Sequence, residues 1–264
     1  MLAMDHFIIT SIWEEWRLGH GEMTMKFLTR TLMKGKTELI DAAFRDNESI
    51  SSFADLGGIW GVDGGYTFYT LNKYNIKDAY LFDNQISQTT FSRSKEYSQL
   101  KLHEQNFGSD GAAGQFSHVD LILLFDVLLH QVNPNWDEIL AKYAPKTDYF
   151  AVYNPQFEGE KIVRLLDLGK EEYFRQVPHK PMDYYHYSLL FTDREREVRD
   201  SPDVWQWGIT DADLREVLKE LGFKEIYSSI GSRWGRSRFT SKGFLFKKMS
   251  TATLPRDSTE KERV

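Results

Sequence analysis

The chain has 264 residues, a formal net charge of −6 and no cysteine. That length supports one core domain of above-average size, alone or carrying an insertion. The absence of cysteine excludes disulfides and thiolate metal sites, and the surplus of acid argues against broad, sequence-independent nucleic-acid binding, which rests on an excess of Lys and Arg.

The opening MLAMDHFIITSIWEEW lacks a basic segment followed by a long apolar one, and no apolar run reaches the roughly 18 residues of a membrane helix. A cytoplasmic, non-membrane protein is therefore expected. Residues 10 to 45 place Ile12, Trp16, Phe27, Leu28, Leu32, Leu39 and Phe44 at helical spacing, so residues 1–50 are expected to form an N-terminal helical cap. From Ser51 the period changes. SFADL reads as a strand, and the stretch that follows holds five glycines between Gly57 and Gly65 before YTFYTLNKY resumes a helical pattern.

The alternation then repeats. DAYLFD is a strand, SRSKEYSQL a helix, LKLHEQNF a strand, and HVDLILLFD a nearly continuous apolar run of the kind buried on both faces of a parallel sheet. NWDEILAKYA is a helix with Asn135 placed to cap it, and DYFAVYN is a strand. Residues 155–207 lose this regularity and are rich in aromatic and charged side chains, which predicts an insertion over the active end of the sheet. Regular order returns at GITDADLREVLKELGF, where Thr210 looks like a helix N-cap and Gly222 like the matching C-terminal cap. Two strands follow, KEIYSSI and KGFLFKKM, and residues 250–264 read as a polar, disordered tail. Strands alternating with helices predict a doubly wound α/β domain over residues 51–249.

The glycine stretch sits where a parallel sheet presents its ligand crevice, at the carboxyl end of a strand. It does not keep the G-x-G-x-x-G register of a dinucleotide loop, and no P-loop lysine follows. It resembles instead the first motif of class I S-adenosylmethionine-dependent methyltransferases, D/E-x-G-x-G-x-G, with Asp55, Gly57 and Gly61 at three of the four defining positions and Ile59 where the middle glycine is expected. The order of later features is similar to that family too. YLFDN puts Asp83 at the end of the second strand, 28 residues beyond Asp55; HEQNFG puts Asn106 and Phe107 after the third; VDLILLFDVLLHQV follows as the fourth; and the chain ends with a helix and a strand pair. The resemblance runs from about Ser51 to Met249, interrupted by the insertion.

It implies a mostly parallel, seven-stranded Rossmann-like sheet that binds S-adenosylmethionine. Asp83 would hold the ribose hydroxyls, since a carboxylate accepts two hydrogen bonds at once, and Asn106 and Phe107 would meet the adenine. Each residue also has a plainer role open to it: Asp55 could cap the next helix, Asp83 could belong to an ordinary turn, and the glycines could simply permit bends.

Asp126 and His130, four apart beyond the fourth strand, are the catalytic candidates. His130 resembles the general base of some O-methyltransferases in the family, because an imidazole titrating near neutrality can take a hydroxyl proton as the methyl transfers. The alternative is a histidine packed under the insertion and bonded to a backbone carbonyl. Asp126 and Asn154 could instead hold Mg²⁺, with Glu158 as the only nearby third carboxylate.

Substrate-contact candidates are Tyr153, Tyr185, Trp205 and Trp207, whose rings and donors suit a sugar or another flat polar molecule, although Tyr184–Tyr187 could equally pack inward. The run RWGRSRFTSKGFLFKK, six bases and no acid, reads either as a hairpin whose edge is guarded by charge or as a landing patch for an anion. The expected function is O-methylation of a small-molecule hydroxyl, with an N-methyltransferase, a nucleic-acid methyltransferase and an inactive cofactor-binding scaffold as the alternatives. A homodimer is left open by the sequence.

Overall fold

The structure, a computed structural model, describes residues 32–177, 199–200 and 204–249. The expected helix around Trp16, the 250–264 tail and Tyr184–Tyr187 lie outside these residues.

The helices are α1 (Lys34–Asp46), α2 (Gly65–Lys73), α3 (Gln88–Ser94), α4 (Asp110–Ala113), α5 (Trp136–Tyr143), α6 (Lys170–Gln176) and α7 (Asp211–Glu220). The strands are β1 (Ser52–Leu56), β2 (Asp78–Asp83), β3 (Leu100–Glu104), β4 (Val119–Phe125), β5 (Gln131–Asn133), β6 (Thr147–Phe157), β7 (Val163–Arg164), β8 (Arg199–Asp200), β9 (Trp207–Gly208), β10 (Phe223–Arg233) and β11 (Phe239–Lys248). A seven-stranded sheet runs in the order β10-β11-β6-β4-β1-β2-β3. The pairs β3-β2, β2-β1, β1-β4 and β4-β6 are parallel, and β11 runs antiparallel to both of its neighbours. The order reverses between β1 and β4, the switch point that opens a crevice at the carboxyl ends of the strands.

The sheet is buried on both faces because its strands alternate between two apolar clusters. Val119, Ile122 and Leu124 of β4 join Leu140 of α5 and Leu214 of α7 on one side. Leu121, Leu123 and Phe125 join Leu39 and Ile40 of α1 and Phe68 of α2 on the other. A third cluster, containing Leu129, Phe157, Leu165, Tyr173, Trp205 and Phe239, gives the described ends of the insertion a small core of their own. No helix among the described residues is long and apolar enough to cross a membrane.

Most element positions follow from local chemistry. Asn135 and Glu138 form a capping box on α5, and the Thr210 hydroxyl accepts from the Asp213 amide at 3.1 Å at the start of α7. Three elements differ from the sequence reading. The third helix begins earlier, at Gln88, because Ser87 caps it through the Thr90 amide, and the SKEYSQL stretch ends in turns. β6 runs on through Pro155 to Phe157; its pairing with β4 ends at Tyr153, opposite Phe125, so the proline falls where β11 alone remains beside the strand. β11, which carries much of the basic run, is interior and not an edge. Two of its lysines are matched by acids brought from elsewhere, Lys242 with Asp211 at 2.6 Å and Lys247 with Asp46 at 2.9 Å, Lys248 donates to the Ala144 carbonyl at 2.8 Å, and Arg233 at the end of β10 reaches Glu158 at 3.3 Å.

Candidate active site

The sequence-predicted cofactor residues converge at the carboxyl ends of β1, β2 and β3. Gly57 adopts φ +83°, and a Cβ there would lie 2.6 Å from Val127 Cγ1, so the position requires glycine on both backbone and steric grounds. Its amide donates to the Phe82 carbonyl at 2.7 Å, which ties the loop to the end of β2. Gly61 and Gly64 also hold left-handed backbone, at φ +78° and +72°. Ile59, at the position where a glycine is usual in the motif, contributes through its backbone: its amide donates to Asp83 Oδ2 at 3.0 Å, a bond that any non-proline residue could make.

Asp55 lies inside the protein, 1% exposed, and accepts from the Thr67 hydroxyl at 2.6 Å. Its carboxylate fills the space that a side chain at Gly58 would need, so it shapes the loop from beneath. Burial pushes its pKa up to about 6; the Thr67 bond opposes that rise and the Asp83 charge adds to it. Burial also raises Asp83, against the backbone amides that stabilise its charge. Asn106 Oδ1 accepts from the Gly108 amide at 2.7 Å, while its Nδ2 is buried without a partner. Phe107 is 3% exposed in the first apolar cluster, with its ring beside Gly57.

A second group gathers at the end of β4. Asp126 holds left-handed backbone at φ +58°, uncommon for a residue with a side chain, and its amide donates to the Tyr153 carbonyl at 2.7 Å. Its Oδ2 accepts from Lys36 Nζ at 2.5 Å. That lysine, 6% exposed, is ringed by Tyr66, Phe125 and Tyr153 with centroids 5.1, 5.7 and 5.5 Å from its ammonium. Burial works to lower the Lys36 pKa, but the Asp126 carboxylate together with Tyr66 and Tyr153 outweighs it and holds the ammonium above its ordinary value. Lys36 was missed in the sequence. The signal was a lysine at the same helical spacing as Leu39, Ile40, Ala43 and Phe44, on the buried stripe of α1.

This geometry does not fit the Mg²⁺ reading. An ammonium already neutralises Asp126, and Asn154 continues the opposite face of β6, the one carrying Phe150 and Val152. The candidate third ligand is engaged as well: Glu158 accepts from Thr240 at 2.6 Å and pairs with Arg233. The His118, Asp120 and Asp148 group, whose ligand atoms lie within 4.8 Å of one another, sits at the amino ends of β4 and β6, away from the crevice.

His130 closes a short 3-10 turn after β4, and its Nδ1 lies 2.8 Å from the Val204 carbonyl. A carbonyl only accepts, so Nδ1 carries the proton and Nε2 keeps the basic lone pair. The remaining substrate candidates divide. Trp207 donates its indole N–H to the Gln131 carbonyl at 2.8 Å. Trp205 packs edge-on against Trp234 and Phe239 in the third cluster, and Tyr153 is 2% exposed beside Lys36, so both serve here as walls. Tyr185 lies outside the described residues.

No protein-family model matches the chain, and no curated protein matches it in sequence. Solved structures do. The N-terminal domain of EvdMO1, determined in the presence of S-adenosylhomocysteine and D-fucose, aligns with a TM-score of 0.54 at 11% identity over 83% of this chain and 85% of that one. The Burkholderia thailandensis 1,6-didemethyltoxoflavin-N1-methyltransferase, with bound 1,6-didemethyltoxoflavin and S-adenosylhomocysteine, aligns with a TM-score of 0.53 at 12% identity over 82% and 79%. At such identities the likeness speaks to architecture, and it agrees with the sheet order and the antiparallel β11: this chain has the Rossmann-like fold of class I methyltransferases.

Proposed function

We propose that the protein transfers the methyl group of S-adenosylmethionine to a hydroxyl group of a small-molecule acceptor. The observation that carries this reading is the Asp83 carboxylate, held by the Ile59 amide beside three left-handed glycines at the carboxyl end of the sheet. The carboxylate accepts backbone amides from Ile59 at 3.0 Å and Gln85 at 3.4 Å, and the remaining acceptor capacity of its two oxygens suits a vicinal diol. The unpartnered Nδ2 of Asn106, from the neighbouring strand end, suits a ring nitrogen of a base. These residues fit the cofactor, whose sulfonium supplies an activated methyl group when bound.

His130 acts as general base. Its Nδ1–H bond to Val204 fixes the ring and directs basicity to Nε2. The acceptor oxygen forms the new C–O bond as the C–S bond breaks, and the hydroxyl proton passes to Nε2. Positioning of the two reactants supplies much of the acceleration. Lys36 binds the Asp126 carboxylate at the strand end, so this residue orients and is not the base.

Calorimetric titration with S-adenosylhomocysteine tests the cofactor site, and absence of binding refutes the reading. Methyl transfer to a panel of hydroxylated acceptors then compares the parent with His130→Ala. A loss on the order of 100-fold or more is expected for removal of a general base, and full activity in the variant refutes that role.

A further inference from the structure

On β6, Phe150 and Val152 enter the first apolar cluster, and the next two residues on that face are Asn154 and Gln156, each 1% exposed. β11 repeats the change: Phe246 and Phe244 are followed by Lys242, opposite Asn154, and Thr240, opposite Gln156. The 204–209 segment brings Gln206 to this end of the cluster, and β5 brings Gln131. The Gln206 amide N–H donates to the Leu129 carbonyl at 2.9 Å, the Trp207 indole to the Gln131 carbonyl at 2.8 Å, and the Phe157 amide to the Ile209 carbonyl at 2.8 Å. Gln131 and Gln206 are 0% and 1% exposed.

The side chains of these four residues are poorly satisfied. Both side-chain amide atoms of Gln156 and of Gln206, Oε1 of Gln131 and Oδ1 of Asn154 are buried with no hydrogen-bond partner among the described residues. Buried amides without partners are costly, and a fold that collects several at one place is supplied with partners from outside its own chain. The unpaired set mixes donors and acceptors and is uncharged. Lys242, the cation beside it, is already bound to Asp211 at 2.6 Å. Such a set matches hydroxyl groups, which donate and accept at once, better than carboxylates or phosphates, which only accept. The amides also begin at the reacting end of the site: Gln131 follows His130, and Asn154 follows Tyr153, whose carbonyl holds Asp126.

We propose that Gln131, Asn154, Gln156 and Gln206 form the acceptor-binding wall, and that the acceptor is a neutral, polyhydroxylated molecule of the monosaccharide class. This rests on the methyltransferase reading for the chemistry, but the wall can be tested without it.

The test uses Gln156→Met and Gln206→Met, which keep side-chain length and remove both polar atoms. Thermal unfolding of the parent and the variants is followed with and without millimolar methyl glycosides in the absence of cofactor, and S-adenosylhomocysteine affinity is measured separately. The expected result is that glycosides stabilise the parent and not the variants, that the variants unfold at the same temperature as the parent or higher because unpaired amides have been removed, and that cofactor affinity changes less than about twofold. In methyl-transfer assays the acceptor KM rises at least tenfold in the variants, with glycosides preferred to catechols and benzoates. Glycosides that stabilise all three proteins equally or none of them, or variants with lowered melting temperature and unchanged acceptor KM, overturn the proposal. Loss of cofactor binding in the parent refutes the methyltransferase reading alone, and leaves the glycoside result to decide the wall.

Discussion

Lys36 and Asp126, 90 positions apart, meet at 2.5 Å between Nζ and Oδ2 at the carboxyl end of β4. The two partners are unequally buried, 7% and 35% of the side chain being exposed, so the pair does not break symmetrically. Removing the carboxylate strands an ammonium among three aromatic rings, whereas removing the ammonium leaves a carboxylate that water reaches in part. Asp126→Asn is expected to cost about 3–5 kcal/mol, the usual penalty for orphaning a buried charge, and Lys36→Met distinctly less. Denaturant unfolding of the two variants decides it; equal losses would contradict the asymmetry.

Asp55 should leave its mark on the pH dependence of stability. Its folded pKa of about 6 lies above the ordinary 3.8, so the fold prefers the protonated form. The associated stability is full below about pH 4, falls as pH rises through about 6, and is absent above it. Asp55→Asn, neutral throughout, is therefore expected to gain on the parent at pH 7.5 relative to pH 4, by roughly 3 kcal/mol at 1.36 kcal/mol per tenfold shift in the acid constant. Urea unfolding at the two pH values measures the difference, and an identical offset at both would show that the carboxyl is not desolvated.

How much of this site was legible before the structure depended on which interactions carry it. β1 and β2 were read to the residue because SFADL and DAYLFD are bounded by glycine and turn chemistry, and Thr210 and Asn135 announced their helices through local capping. Asp83 stood out because collinear motifs bring it to a strand end. Lys36 did not, because its partner lies 90 positions away at the end of β4 and pattern reading treats a lysine as solvent-facing. The amide group was missed for a related reason: Asn154 was read only as a possible metal ligand, and Gln156 looks like the polar end of a strand until both are seen to be 1% exposed beside β11. The aromatic candidates were ambiguous in the opposite sense, since Trp205 is as suited to a small core as to a ligand, and the structure packs it in the third cluster.

Trp60 provides a reporter for the glycine loop. It is 70% exposed, an unusual state for a tryptophan, and follows directly on Ile59, whose amide holds Asp83. A nucleoside bound against that carboxylate would change the solvent contact of the indole. S-adenosylhomocysteine is expected to alter intrinsic fluorescence in the parent and to produce little of that change in Trp60→Phe, with calorimetric affinity kept within about threefold. An undiminished fluorescence change in the variant would assign the signal to another of the seven tryptophans.

Asp41 should respond to acid with the sign opposite to Asp55. It links α1 to α2, accepting from Tyr74 at 2.6 Å and Tyr69 at 2.8 Å through Oδ1 and from Lys73 at 2.8 Å through Oδ2. The Phe44 and Tyr74 rings stack beside this junction with centroids 3.6 Å apart. Burial alone would raise the Asp41 pKa, but the bonds from Lys73, Tyr74 and Tyr69 prevail and hold it below 3.8. The stability it contributes is therefore present above that ordinary value and is lost as pH falls through the lower folded one. Asp41→Asn is expected to cost about 2 kcal/mol at pH 7, the scale of hydrogen bonds to a charged group, and less at about pH 2.5, where protonation of the unfolded chain has removed part of the stability that the charge contributes. Unfolding curves for both proteins at the two pH values give the comparison. A penalty independent of pH would mean that the junction is held by the ring stack and the neutral hydrogen bonds, with the charge of Asp41 contributing nothing.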